Sequence, residues 1–180
     1  MASSVTGGDK FKAALEDLAK KLGGNPVLKV GFLETAKYPD GENVAEVAYK
    51  NEYGNFKQPP RPFFRRMIAS QKKGWPVLVK KSLINTDYDV NGTLDLLGQR
   101  IKNQLQNSIN EFYEPPLSQT TIMLRYMRRK NKNLVVTPDV IAQARENIRK
   151  GISTAGTSTK PLIDTAVMLR SVDHYIDKKE

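Results

Sequence analysis

The chain has 180 residues, 39% of them hydrophobic and 27% charged, and carries a formal net charge of +10. That length suits one domain with a substantial buried core, and no apolar run approaches the roughly 20 residues that cross a bilayer. The absence of cysteine excludes disulfides, thiolate zinc sites and thiol nucleophiles within the chain. The stretch from Met1 to Gly8 lacks the basic and apolar regions of a signal peptide, so a cytoplasmic product is expected.

After this flexible start Asp9 is expected to cap a helix, in which Phe11, Ala14, Leu15, Leu18 and Leu22 recur at helical spacing until Gly23-Gly24 ends it. Val27 to Phe32 is β-branched and apolar enough for a strand, and Tyr38-Pro39-Asp40-Gly41 reads as a turn in which proline fixes φ and glycine accepts a positive φ. Asn43 is placed to cap a short helix with Val44, Val47 and Ala48 inward, closed by Gly54. Pro59 to Pro62 cannot be regular helix. Phe63, Phe64, Met67 and Ile68 restart a helical stripe toward Leu83, with a break or kink expected at Gly74 and Pro76.

The clearest helix follows, with Leu94, Leu97, Ile101, Leu105, Ile109 and Phe112 on one stripe. Glu114-Pro115-Pro116 stops it, and Ser118 can cap the next helix, which runs through Leu124 toward Arg129. Thr137-Pro138 opens another with a capping hydroxyl and proline at the first helical position, and Gly151 ends it. Its stripe of Val140, Ile141, Ala144 and Ile148 is narrow, which suits either its own domain's surface or a neighbouring subunit. Gly151 to Lys160 has the composition of a flexible connector. Val172, His174 and Ile176 alternate as in a terminal strand with one buried face. The sum is an α+β fold, a single domain with a small antiparallel sheet packed with several helices.

The positive charge is clustered. Arg61, Arg65, Arg66, Lys72, Lys73, Lys80 and Lys81 form one acid-free run, and Arg125, Arg128, Arg129, Lys130 and Lys132 form another. Such runs suit phosphate backbones or an acidic protein surface, because their attraction is long-ranged and needs little geometry; the plainer reading is a solvated face that keeps the protein soluble. Candidate interface or DNA-facing residues are Pro60, Arg61, Pro62, Arg65, Arg66, Lys72, Lys73, Arg125, Arg128, Arg129 and Lys130. The prolines belong with them because a stiff loop lowers the ordering cost of a contact.

Residue sets that do chemistry are scarce. His174 is the only histidine, which rules out a two-histidine metal site in one chain, and its alternation predicts a packing role. The carboxylate pairs Asp40 with Glu42 and Glu46 with Glu52 have no fixed mutual geometry and read as solvated faces. Gly7-Gly8 and Gly23-Gly24 lack the context of a phosphate loop. Phe63 and Phe64 share an apolar face with Met67 and Ile68, so they read as core residues, not as a stacking platform for bases. No catalytic residue, metal or cofactor is expected.

Four segments stand out together: Tyr38-Pro39-Asp40-Gly41, the helix from Val44-Ala45 to Asn51-Glu52-Tyr53-Gly54, Pro59-Pro60-Arg61-Pro62-Phe63-Phe64-Arg65, and Lys160-Pro161-Leu162-Ile163-Asp164-Thr165-Ala166. Their character and order resemble the neck and tail-completion (head-tail joining) proteins of tailed bacteriophages. The resemblance implies a virion structural protein that oligomerises as a ring around the DNA channel. It would meet other neck, connector, tail tube or sheath proteins, and would reside in the host cytoplasm during assembly and in the virion afterwards. A basic DNA-binding protein or assembly factor is the alternative. The chain departs from the family pattern at Ala166, where glycine is usual, which would alter the turn there. It also departs over residues 130–159, which read as an inserted helical arm expected to contact a neighbouring subunit or ring.

Overall fold

The computed structural model describes residues 8–56 and 58–179, so the start expected to be flexible lies, apart from Gly8, outside the described residues, as does the side chain of Phe11. The fold is α+β, 55% helical and 10% strand, with one antiparallel pair of strands. In chain order the elements are α1 (Gly8–Lys21), β1 (Asn25–Phe32), α2 (Val44–Tyr53), α3 (Phe63–Gln71), α4 (Trp75–Asn85) and α5 (Val90–Glu111). There follow α6 (Gln119–Lys130), α7 (Pro138–Arg149), α8 (Val167–Arg170) and β2 (Val172–Lys179). Two compact units result: the first from residues up to Gly31, Ile68–Gln104 and from Asp173 onward, the second from Phe32–Met67 and Leu105–Val172.

The first unit holds α1, α4, most of α5 and nearly all of the strand pair. Helix α1 is described from Gly8, and the side chain of Asp9, the expected cap, lies outside the described residues. The expected break before Pro76 is there: α3 stops at Gln71 and α4 starts at Trp75, with Pro76 in its first turn. The Trp75 indole N–H donates to Gln104 Oε1 at 3.0 Å, and the Gln104 amide donates to Gln71 Oε1 at 2.8 Å, which ties α4 to α5. In β2, His174 points its ring at α5, where Nε2 lies 2.9 Å from Asp95 Oδ1. Gly98 makes room for it, since a Cβ there would stand 2.2 Å from His174 Cδ2. The packing role expected of His174 is thus joined to a polar contact.

The second unit contains the dense core. Val44, Phe63, Leu105, Ile109, Met123, Met168 and Val172 are fully buried, and Phe63 meets Phe32 edge to face at 6.3 Å. Asn43 caps α2 as its sequence position suggests, its side chain accepting from the amides of Ala45 and Glu46. Gly54 ends α2 at φ 72°, and only glycine fits, because a Cβ would lie 2.7 Å from the Pro60 nitrogen. Glu52 departs from its expected solvated role. It is 5% exposed, and its carboxylate accepts from the Phe64 and Arg65 amides at 2.9 and 3.1 Å and from Arg65 Nε at 2.8 Å. A buried carboxylate is tolerable there because the first amides of α3 are unpaired donors and the positive end of the helix dipole faces it.

Helices α6 and α7 form a hairpin, with Ser118 and Thr137 as side-chain caps. Ala144 of α7 is fully buried, and Asn147 reaches Met127 Sδ at 3.7 Å. The 130–159 arm therefore lays its narrow stripe on its own chain's α6. Helix α8, one turn long, has no apolar repeat to announce it. It follows Ala166, which holds the left-handed geometry φ 60°, ψ 12° that glycine adopts freely, so the turn forms with alanine in place.

Candidate interface surfaces

The candidate residues divide by what their side chains touch. Pro60 is exposed and Pro62 partly covered. Arg65 is drawn to the end of α2, with Nη2 donating to the Glu52 carbonyl at 3.0 Å and the guanidinium 4.7 Å over the Tyr53 ring. Arg66 lies over Phe112 at 5.6 Å, and Lys130 over Tyr126 at 5.8 Å. Lys72 and Lys73 are exposed just beyond α3, in the first unit. Arg66, Lys72, Lys73 and Lys130 keep their charge toward solvent, whereas Arg65 is paired with Glu52.

Arg125 and Arg129 do something that composition does not suggest. Arg125 Nη1 donates to the carbonyls of Ser158, Lys160 and Ile163 at 3.1, 2.7 and 3.1 Å, and Nη2 to that of Pro161 at 3.1 Å. Arg129 donates to the carbonyls of Gly156 and Ala155. The segment from Gly151 to Lys160, expected to be a flexible connector, is instead fastened to α6 by two guanidinium groups. Sequence gave no warning, because backbone carbonyls are available at every residue and leave no composition signal.

Three arginines share one cavity of about 510 Å³ in the second unit: Arg61, Arg125 and Arg128. Its walls come from the Tyr38–Glu42 turn, the proline loop at Pro59 and Arg61, the start of α6, and the segment from Pro161 to Met168. All four segments that carry the resemblance line it, three from residues 38–65 and the fourth, from Lys160 to Ala166, nearly a hundred residues further along the chain. Sequence reading picked out those segments but could not see that they meet. Burial, above all, pushes the Tyr38 hydroxyl above its ordinary range, and Glu42 and Asp40 add to the shift. Arg61 is 6% exposed, its amide donating to Asn51 O at 2.6 Å and its Nε to Pro115 O at 3.4 Å. Burial alone holds its guanidinium below the usual arginine value.

Among the described residues no group of three or more His, Asp or Glu side chains is arranged to hold a metal ion, and no helix is long and apolar enough to cross a membrane. Comparison with protein-family models, curated proteins and solved structures finds no match.

Proposed function

We propose that this chain is a virion structural protein of a tailed bacteriophage, at the neck or tail end, working through contacts with copies of itself and with adjacent rings. The observation that carries the reading is apolar surface left open on the first unit. No residue of α4 is buried, and Val77 and Ile84 are 55% and 58% exposed. Leu15 of α1 and Leu22 just beyond its end are similarly open. Val77 and Ile84 stand seven residues apart on one face of α4, exposed apolar side chains of this kind can build association surfaces in soluble proteins, and a ring needs one such face in every subunit. The order of the resembling segments supports the same reading, as do the stiff proline loop and the solvated cations of Arg66, Lys72, Lys73 and Lys130, which suit a DNA-filled channel.

The test is mapping of this protein on phage particles by electron microscopy. Density or label at the head-tail junction or tail end is the expected result, and its absence from finished virions rejects the proposal. The second reading, a basic DNA-binding or assembly factor, rests on the same solvated cations. Phosphate contacts release counterions, so DNA affinity would fall steeply with salt, whereas a ring closed by apolar contacts would persist.

A further inference from the structure

We infer that the cavity of the second unit is a receptor for a carboxylate-bearing peptide segment of a partner protein, anchored by Arg61 at its base and Arg128 at its mouth. The inference stands on the cavity alone and does not depend on the virion reading. Arg61 is the central observation. Its one side-chain hydrogen bond within the protein is the long contact from Nε to Pro115 O, and its two terminal nitrogens have no protein acceptor. The only sealed, partnerless side-chain polar atoms among the described residues are Thr157 Oγ1 and His174 Nδ1. The terminal nitrogens of Arg61 are therefore not sealed, and they open on the cavity that the residue lines.

The neighbouring acids are otherwise engaged. Glu42 pairs with Lys50 at 2.7 Å, Asp40 accepts from the Glu42 amide at 3.2 Å, and Asp164 lies 3.8 Å from Arg125 Nε. Arg125 has spent its terminal nitrogens on carbonyls, which leaves Arg61 and Arg128 without a carboxylate. Burial is the main cause lowering the Arg125 guanidinium; the Asp164 charge opposes it, and the charges of Arg61 and Arg128 add to it, so the three cations share one field that Asp164 only partly offsets. An incoming carboxylate would relieve that repulsion and give Arg61 the forked, charge-assisted hydrogen bonds its geometry favours.

The shape selects a peptide over nucleic acid. A duplex carries its phosphates on a broad convex surface and cannot bring one to a guanidinium that is 6% exposed. The cavity lies within the roughly 300–1,000 Å³ range of ligand clefts. Pro59, Pro116, Leu117, Pro161 and Leu162 give it apolar walls for the side chains flanking an acid.

The test uses the purified full chain and a fluorescent hexapeptide with adjacent glutamates between leucines. Its glutamine counterpart, inorganic phosphate and a duplex oligonucleotide serve as competitors. The glutamate peptide should bind at least about tenfold tighter than the glutamine one, and should shift the Arg61 Nε–Hε resonance. Arg61→Lys should weaken binding about tenfold, since an ammonium cannot fork. Arg128→Gln, at an exposed position that leaves the fold intact, should weaken it about threefold. Equal affinity for the two peptides, an unmoved Arg61 resonance, or displacement by phosphate or duplex at equal concentration would each overturn the proposal.

Discussion

The two units solve the problem of burying a surface in opposite ways. In the second gather twelve of the thirteen apolar residues that are buried among the described residues: Val44, Ala48, Phe63, Met67, Leu105, Ile109, Phe112, Met123, Ala144, Leu162, Met168 and Val172. Its polar groups are also drawn inward, with Glu52 capping α3 and Arg125 and Arg129 fastening a loop. Among the described residues the first unit buries one apolar side chain to that degree, Ile101, and holds itself with Trp75, Gln104, Gln71, His174, Asp95 and exposed ion pairs such as Lys21 with Asp87 at 2.7 Å. Exposed pairs of that kind contribute little, because water and salt screen them. The lesson is a difference in how each unit is held: the second by a dense apolar core, the first mostly by polar ties, with Val77 and Ile84 of α4 left open.

The largest expected effect compares one residue from each unit. Phe63→Ala removes a ring buried among Phe32 and Phe64 and should cost about 3–5 kcal/mol in denaturant unfolding. Ile84→Ala, at a position 58% exposed, should change stability by no more than about 0.5 kcal/mol in dilute solution. If Ile84→Ala costs as much as Phe63→Ala, α4 is covered in solution and the contrast breaks; repeating it across protein concentrations would show whether a second copy does the covering.

Gly98→Ala is a smaller but sharper probe. In an ordinary helix interior this change stabilises by about 0.5–1 kcal/mol. Here the new methyl would collide with the His174 ring, so a loss of about 1–3 kcal/mol is expected, accompanied by displaced His174 and Asp95 resonances. A gain in stability would mean that β2 is not held against α5 in this way. Smallest of the three is Ala166→Gly in the second unit, expected to raise stability by about 0.5–1 kcal/mol because glycine adopts φ 60° without steric cost. A thermal melt with no upward shift would show that this position is already relaxed.

Local signals carried much of the fold. Asn43, Ser118 and Thr137 cap helices where a side-chain oxygen precedes an apolar repeat, and Gly54 and the prolines punctuate where φ or a missing N–H demands it. The α5 stripe becomes fully buried from Ile101 onward, while Leu94 and Leu97 remain partly covered, because periodicity names a face but not the partner that covers it. Glu52 was the least legible residue of the core. Nothing in its own neighbourhood says that the chain will turn back twelve residues later and present the unpaired amides of α3 to it.

The candidate site shows the same limit. Arg61, Arg125, Arg128 and Arg129 were visible as charge, yet a basic run reads the same whether its members face solvent, clamp carbonyls or line a cavity. What sequence alone determined is what depends on near neighbours: the caps, the turns, the helical stripes and the positive charge. Tertiary structure alone decided which arginines remain available, that the four resembling segments wall one cavity, and that α1 and α4 keep apolar faces open. Those outcomes depend on contacts between residues tens of positions apart, and the free energy of such a contact is set by burial and geometry, which no short stretch of chain possesses.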